Sequence, residues 1–468
     1  MPIPISKIIL TGVMAAMAAT LSAVASTPQQ SGSPTAAEAD PQIVAALREI
    51  SPARIQQTIE KLAGFYTRQT LSSDVPPIGD KGINAAAVWI QGELQRISSQ
   101  CGDCLEVRTD QFLQPPGTRI PQPTTITNVY AILRGTDPAN AGRMYVVTGH
   151  YDSRNSDPID AAGQAPGAND DASGSAVSLE CARVLSKHRF PATIIFLTVA
   201  GEEEGLYGSA HFAKMAKAVG WGIEAVLNND IVGGDRTPGD TLQDPHVVRV
   251  FSEGISSTAS EEELRKTRSL GGESDGPSRQ LARYVEDVAK EYLAAEDFRA
   301  MLVFRHDRYL RGGDHLSFNE QGYAAVRFTE FRENYNHQHQ NVRTENGIEY
   351  GDLPKFVDYD YTAKVARLNA ATLAELASAP APPVDVRLLT KELQNDSTLE
   401  WKASPGGLAT GYEVLWRDTT APDWEHVKSV GNVTRVTVPV SKDNVIFAVR
   451  AVDAKGHRSS AMVPLPER

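Results

Sequence analysis

The chain has 468 residues and a formal net charge of -12, from 46 basic and 58 acidic side chains. This length is too great for one small core, so we expect two folded units with tails. The acidic balance argues against a general nucleic-acid-binding protein. The hydrophobic content of 41% is ordinary for a soluble globular protein.

Residues 1–25 have the pattern of a secretory signal peptide. Lys7 precedes an apolar run from residue 8 to residue 21, and Ala23 and Ala25 are the small residues of a cleavage site. The run is short and alanine-rich for a membrane span. We therefore expect an exported protein, periplasmic or secreted, with no membrane attachment after cleavage. Residues 26–40 follow as a polar, disordered leader.

The three cysteines fit an exported protein. Cys101 and Cys104 lie in the sequence Cys-Gly-Asp-Cys, which predicts a small-loop disulfide in that compartment. Cys181 lies in a helical pattern and is predicted to be a buried free thiol.

The first elements are two helices and a β-hairpin. Ser51 and Pro52 form an N-cap and first-turn pair for a helix that ends near Leu62. Apolar residues at helical spacing predict a second helix over residues 83–97. Residues 105–113 and 125–133 predict two antiparallel strands at the edge of a sheet, because the connection between them has no helical pattern.

Three short apolar runs then lead into polar residues. Residues 144–148 precede His150 and Asp152, residues 193–199 precede Glu202-Glu203-Glu204, and residues 225–227 precede Asp230. Such runs between helical segments predict parallel strands buried on both faces. Ligands bind past the carboxyl ends of such strands. Imidazole and carboxylate groups without thiolates suit zinc or a similar divalent ion.

The remainder of this unit is predicted to be mostly helical. Helices are expected from residue 173 or 174 to 188, and over residues 206–218, 278–292 and 361–377. Residues 235–274 are polar and show only weak hydrophobic periodicity. We therefore expect them to form an excursion from the domain that lines one side of the site. Residues 303–341 carry further site candidates.

A stiff Pro-Ala segment, residues 378–383, marks a boundary. Beyond it, residues 399–401, 412–416, 433–440 and 445–452 alternate apolar with polar side chains between turns, which predicts a small β-sandwich. These runs resemble those of fibronectin type III domains. The expected units are a main domain over residues 41–377 and the sandwich over residues 384–468.

Each polar group at the strand ends has an ordinary alternative explanation. His150 could be a loop histidine, Asp170 and Asp171 could cap a helix, and Asp230 could be a turn residue. The run Glu202-Glu203-Glu204 is a more specific indication of a cation site, because adjacent carboxylates repel one another and a bound cation relieves that repulsion. Their joint order and spacing are far more specific than any single member.

That joint pattern resembles the co-catalytic zinc aminopeptidases, a family that includes bacterial leucyl aminopeptidase, aminopeptidase Y and glutamate carboxypeptidase. The segment from Ala200 to Ser209 is similar to the family signature Glu-Glu-x-Gly-Leu-x-Gly-Ser, and the segment from Gly167 to Gly174 to its bridging-Asp segment. The resemblance covers residues 43–377. It implies a three-layer α/β/α fold with a mixed sheet, of the zinc-exopeptidase type.

The resemblance also implies two zinc ions and a role for each matching residue. Asp170 bridges the ions, His150 and Asp230 complete one site, and Glu203 and a distal histidine complete the other. Glu202 is the general base and Asp152 is the carboxylate behind His150. The peptide bond between Asp170 and Asp171 is cis in that family.

The distal histidine has two candidates. His337 aligns best, with Asn341 where the family has an aspartate, and His339 is the alternative. Asp314 and His315 resemble a family stretch that we interpret as a wall of the substrate pocket, although the aspartate could be a simple helix cap.

The implied function is that of an exported aminopeptidase that acts on peptides. A carboxypeptidase or dipeptidase is an alternative, because Arg305, Arg308, Arg311 and Arg327 could bind a substrate α-carboxylate. A non-catalytic binding protein on the same scaffold, or a protein that adheres to a partner through its sandwich, are further alternatives.

Overall fold

The structure is a computed structural model that describes residues 39–74 and 80–467. The predicted signal peptide, and the predicted leader up to residue 38, lie outside the described residues. The residues described belong to one compact unit. Among the described helices, none is both long and apolar enough to cross a bilayer.

Ten α-helices and three short 3-10 helices are described. The α-helices are α1 (Pro41–Leu47), α2 (Pro52–Ala63), α3 (Ile83–Gln100), α4 (Ala172–Leu185), α5 (Glu202–Gly205), α6 (Tyr207–Ala218), α7 (Glu261–Leu270), α8 (Pro277–Tyr292), α9 (His315–Asn319) and α10 (Tyr359–Ser378). The 3-10 helices are Thr70–Asp74, Ala294–Glu296 and Pro354–Phe356.

The described strands number seventeen. They are β1 (Leu105–Gln114), β2 (Thr124–Leu133), β3 (Arg143–His150), β4 (Thr193–Val199), β5 (Gly222–Asn229), β6 (Val247–Ser252), β7 (Arg299–Val303), β8 (Ala325–Glu330), β9 (Arg343–Glu345), β10 (Ile348–Tyr350), β11 (Val384–Leu389), β12 (Ser397–Lys402), β13 (Gly411–Asp418), β14 (His426–Gly431), β15 (Arg435–Val438), β16 (Val445–Val452) and β17 (Leu465–Glu467).

The central element is an eight-stranded mixed sheet in the order β1-β2-β4-β3-β5-β8-β6-β7. Strand β3 pairs in parallel with both β4 and β5, and β5 pairs in parallel with β8. The predicted hairpin is confirmed, since β1 and β2 are antiparallel from Leu105↔Leu133 to Gln114↔Thr124. The edge hairpin is joined to the parallel strands by antiparallel pairing of β2 with β4.

Side chains alternate between two cores on opposite faces of this sheet. In β4, Ile194 and Phe196 join the core that contains α4, α8 and α10, while Ile195 and Leu197 join the core that contains Phe212 of α6. Helices therefore cover both faces, as the period-two alternation of strands requires. The expected three-layer α/β/α architecture with a mixed sheet is confirmed.

The prediction for residues 235–274 is wrong in part. Strand β6 lies within them and occupies a place inside the sheet, between β8 and β7. Its apolar run is only about as long as a minimal strand and is surrounded by polar sequence, so the pattern was weak. The predicted disulfide between Cys101 and Cys104 is present, and Cys181 is a buried free cysteine.

Residues 384–467 form a four-stranded sheet, β15-β12-β11-β17, and a three-stranded sheet, β14-β13-β16. A core that includes Trp401, Tyr412 and Phe447 lies between them. Contacts to helix α8 and the preceding loop hold these sheets in place: Arg417 pairs with Asp275 at 2.7 Å, and Arg283 donates to the carbonyl of Pro422. The likeness to fibronectin type III domains stays a prediction.

Candidate metal centre

The site lies where three parallel strands end at one edge of the sheet. Strand β3 ends at His150, strand β4 ends at Val199 just before α5, and strand β5 ends at Asn229 just before Asp230. His150 is in register with Val199, and Thr148 with Asn228. Because β3 lies between β4 and β5, the residues after all three strands meet in one place.

One group of possible ligands joins His150, Asp170 and Asp230, all of them buried. The Nε2 atom of His150 lies 3.1 Å from Oδ1 of Asp170 and 3.9 Å from Oδ1 of Asp230. The structure therefore brings together the three residues that the resemblance assigned to one zinc ion.

A second group joins Asp170, Glu203 and His339. The Nε2 atom of His339 lies 2.9 Å from Oδ2 of Asp170 and 3.0 Å from Oε1 of Glu203. Asp170 thus presents one carboxylate oxygen to each group, which is the arrangement that a bridging ligand requires.

The structure places His337, the preferred candidate for the distal histidine, outside both ligand groups. The Nδ1–H of His337 donates to the carboxylate of Asp235, and the His337 ring stacks on Phe356 at 3.7 Å between centroids. His339 takes the place beside Asp170 instead. Asn341, which stands where the family has an aspartate, accepts hydrogen bonds from the backbone and hydroxyl of Ser156.

Asp152 and Asp171 support the first group from behind. Oδ1 of Asp152 lies 3.4 Å from Nδ1 of His150, and Oδ2 of Asp152 accepts from the backbone N–H of Glu203. Asp171 caps α4 by accepting from Gly174 at 2.9 Å, and it also accepts from the backbone N–H of His150. The peptide bond between Asp170 and Asp171 is cis, as the resemblance implied.

Glu202 lies outside both ligand groups, as a general base must. Burial raises the pKa of its carboxyl well above the usual range, and the nearby Asp230 and Glu203 raise it further against the opposing effect of His150. Burial also raises the pKa of Asp314 to about 7. The side chain of Asp314 does not cap α9, so the explanation of this residue as a simple helix cap fails.

Several supporting residues had no signal in the sequence. Arg68 is fully buried and donates to the carbonyls of Tyr151 at 2.5 Å and Gly167 at 2.8 Å, so one guanidinium ties together the two loops that hold His150 and Asp170. Asp352 accepts from the backbone N–H groups of Asn169 and Asp170. These contacts join segments far apart in the chain, and no local spacing indicates them.

The donor set suits a zinc ion. Within the described part of the chain, neither Nε2 of His150 nor Oε1 of Glu203 makes a hydrogen bond, although both atoms are buried. Buried polar atoms are normally satisfied, so each of these atoms, one in each ligand group, needs a partner. Burial opposes protonation of His339, yet the negative charges of Glu203 and Asp170 raise its pKa to about 10.

Comparison with known proteins gives a consistent result. Peptidase family M28 matches residues 128–358. A probable zinc metalloprotease of Pyricularia oryzae is 47% identical over 434 residues, which cover 91% of this chain and 85% of that protein. A probable zinc metalloprotease of Pyrenophora teres f. teres is 45% identical over 430 residues, covering 91% and 87%.

Among solved structures, the LapA aminopeptidase of Legionella pneumophila superimposes with a TM-score of 0.50 at 22% identity, covering 72% of this chain and 75% of that one. At this identity the similarity concerns the fold alone. All five residues of the two ligand groups and the adjacent Glu202 lie within the range that matches the family.

Proposed function

Because the chain belongs to peptidase family M28, the family of zinc metalloproteases that its relatives represent, we propose that it is an exported zinc aminopeptidase. It would release N-terminal residues from peptides. The observation that carries this proposal is the presentation of the two carboxylate oxygens of Asp170 to two different imidazoles, His150 and His339. A centre for two ions would have this form.

Each ion would be held by residues already in place. One would be held by His150, Asp170 and Asp230, and the other by Asp170, Glu203 and His339. When bound, zinc would polarise the peptide carbonyl and make a water molecule acidic enough to attack it near neutral pH. Asp152 fixes the orientation of His150, because its backbone carbonyl accepts from Nδ1 at 3.2 Å and its carboxylate faces the same atom.

Proton transfer is assigned to Glu202. Its carboxylate belongs to neither ligand group, and the residue is half-buried near His150 and Asp230. We assign to it the acceptance of the proton of the attacking water and the delivery of that proton to the leaving nitrogen. A carboxylate that is free of metal can perform both steps, since general acid–base catalysis needs a group that changes protonation state.

The proposed preference for the N-terminal end of a peptide substrate follows from the negative charge around the candidate metal centre. Many carboxylates surround the centre, and they would attract the α-ammonium group of a peptide. The proposed partners are therefore peptides, and neither nucleic acid nor a membrane is proposed. Hydrolysis of aminoacyl-nitroanilides beside N-blocked dipeptides distinguishes this proposal from a carboxypeptidase: cleavage of the blocked substrates alone would overturn it.

The base role is tested with Glu202→Gln, which keeps the size of the side chain and removes its basicity. We expect zinc content to stay at the wild-type value while turnover of an aminoacyl-nitroanilide falls by about 10²–10⁴-fold. Glu261→Gln, on the exposed helix α7, is the matched control and should leave both quantities unchanged. Wild-type turnover in Glu202→Gln would remove Glu202 from this role.

A further inference from the structure

The ring of Phe304 contacts two guanidiniums of helix α8. The guanidinium carbon of Arg279 lies 4.5 Å from the centre of that ring, and that of Arg283 lies 5.1 Å from it. The two arginines lie one helical turn apart, so both reach the same ring. Both are buried, and a cation attracts the face of an aromatic ring more strongly where water is excluded. Phe304 is therefore held firmly against α8.

The same Arg283 also contacts the C-terminal sheets. Its guanidinium carbon lies 5.6 Å from the ring of Trp424, on the loop between β13 and β14, and its Nε donates to the carbonyl of Pro422 at 2.7 Å. Trp424 is buried, and the guanidinium carbon of Arg417 lies 5.6 Å from its ring as well. Arg283 thus joins Trp424 of the C-terminal region to Phe304 of the main domain.

That phenylalanine is the first residue of a segment that reaches the candidate metal centre. We call residues 304–314 the rim segment. Near its far end, a Cβ on Gly313 would come within 3.2 Å of Oδ2 of Asp230. The carbonyl of Gly312 accepts from Nη1 of Arg327 at 2.6 Å, and Nη2 of that arginine lies 3.0 Å from Oδ1 of Asp230. The position of the rim segment therefore affects the surroundings of a candidate metal ligand.

Phe304 is the main apolar anchor of the rim segment. The other two large apolar side chains in it, Tyr309 and Leu310, are exposed, and Leu310 has a φ of 55°. Asp307 is buried and holds the segment through its ion pair with Arg327 at 3.2 Å. Loss of the contacts of Phe304 would thus leave the segment held mainly by polar contacts.

We propose that the C-terminal sheets position the rim segment for catalysis, through the stack formed by Trp424, Arg283 and Phe304. These three are positioning residues, since none of them belongs to either ligand group. The inference gives the region after residue 383 a part in the reaction, in place of adhesion to a partner. Its kinetic test rests on the proposed function, whereas its structural test does not.

The kinetic test removes the ring faces of the stack and keeps apolar side chains in their place. In Phe304→Leu and in Trp424→Leu, we expect kcat/KM for leucyl-nitroanilide to fall about three- to thirtyfold, the range that corresponds to loss of a partly buried cation–π contact. Zinc content should stay at the wild-type value. Phe304→Tyr keeps the ring face and should restore kcat/KM to within about twofold of wild type.

A control variant separates the stack from docking of the C-terminal sheets in general. Arg450 lies 3.3 Å from Asp287 of α8, so it contributes to the same interface at a different place. Arg450→Gln should change kcat/KM less than about twofold, because the stack is intact in it. An equal loss in Arg450→Gln and Trp424→Leu would overturn the role of the stack.

A double variant shows whether Phe304 and Trp424 act through one stack. The combined variant Phe304→Leu/Trp424→Leu should lose no more than about twofold beyond the weaker single variant, since the second substitution removes contacts that the first has already uncoupled. Losses that multiply would show two independent contributions and would contradict the proposal.

Hydrogen exchange measured by mass spectrometry keeps this inference separate from the proposed function. The backbone N–H groups of Arg305 and Arg311 donate to carbonyls of Val303 and Arg308, so the rim segment has protection to lose. Peptides covering residues 304–314 should exchange faster in Trp424→Leu than in the wild-type protein or in Arg450→Gln. If the nitroanilide is not hydrolysed, the proposed function fails and exchange still decides whether the stack positions the segment. If it is hydrolysed, and either kcat/KM or exchange in Trp424→Leu equals the wild-type value, only the present inference fails.

Discussion

Asp170 is the residue on which both halves of the centre depend. Its Oδ1 atom faces His150 and its Oδ2 atom faces His339. Its position is set from behind, because Asp352 accepts from its backbone N–H at 2.7 Å and Gln338 donates to Oδ2 at 3.0 Å. A carboxylate held this way needs little rearrangement to bind two cations, and such preorganisation raises affinity.

His337 and His339 lie two residues apart, so substituting each of them separately tests the second ligand group. We expect His339→Ala to lose about one zinc ion per chain and most activity, because Glu203 and Asp170 alone leave that position short of a nitrogen ligand. His337→Ala should keep its zinc, since His337 bonds to Asp235 outside both groups. Zinc content measured by elemental analysis distinguishes these outcomes.

The reverse pattern would contradict this assignment. Full zinc content in His339→Ala together with loss of zinc in His337→Ala would mean that the loop adopts a different arrangement in the zinc-bound protein.

Among the site residues, those that follow strands were indicated by the sequence pattern, and Asp170, just before α4, was indicated by the family resemblance. His150, Glu203 and Asp230 were predictable because each follows a buried run that ends at the same sheet edge. The choice of His339 over His337 was not, because the loop has no periodic pattern and the alignment favoured His337. Arg68 was not predictable either, since its role is set by carbonyl groups from distant segments.

The junction of strand β3 with helix α4 positions the first ligand group. A Cβ on Gly149 would come 2.4 Å from the backbone of Gly174, and a Cβ on Gly174 would come 2.2 Å from the carbonyl oxygen of Asn229. Strand end and helix start therefore touch through backbone atoms. This close approach brings Asp170, just before α4, within reach of His150.

We expect Gly149→Ala to destabilise the fold by about 1–3 kcal/mol, because the added methyl group must push the strand and helix apart. Gly92→Ala is the matched control, since Gly92 lies in α3 with no atom within 4 Å of its would-be Cβ. That substitution should stabilise the protein by up to about 1 kcal/mol, because alanine favours a helix interior.

Both free energies can be measured by denaturant unfolding. Equal stability of Gly149→Ala and the wild-type protein would show that the junction is not packed as tightly as the structure indicates.

At the scale of elements, most helices and central strands were predictable from periodicity, as α3 and the β1–β2 hairpin show. Strand β6 was not, because six residues give too short a pattern to separate a strand from a loop. Its place in the sheet depends on pairing with β8 and β7, which no local pattern encodes.

The contact between helix α8 and the C-terminal sheets contains a half-buried acid, Glu286, whose negative charge opposes folding. Glu286 lies near Asp423, and Lys290 pairs with both. Burial, together with Asp423, raises the pKa of Glu286 from 4.5 to about 7. The folded state therefore prefers the protonated form, and ionisation of Glu286 lowers stability as the pH rises from about 4.5 to about 7.

Glu286→Gln should accordingly be more stable than the wild-type protein at pH 8, by about 1 kcal/mol once solvent screening is considered. At pH 4.5 and below, the difference should shrink toward zero, because Glu286 is then largely protonated in the folded state. Lys290 keeps Asp423 as a partner in the variant. The free energy of unfolding at the two pH values tests this, and a difference independent of pH would contradict it.

At the scale of the whole chain, the sequence indicated a change of pattern at residues 378–383 but not how the parts pack. The packing depends on residues such as Arg283, which bonds to the carbonyl of Pro422, and Arg450, which lies 3.3 Å from Asp287. Such pairs join surfaces that look like ordinary charged helix and strand faces until the structure brings them together.

The most direct test of the account is anomalous diffraction from crystals of the zinc-loaded protein, recorded on both sides of the zinc absorption edge. We predict two peaks per chain, one among His150, Asp170 and Asp230 and the other among Asp170, Glu203 and His339, with Asp170 contacting both. A single peak, or a peak beside His337 and Asp235 in place of His339, would contradict the two-ion centre proposed for this protein.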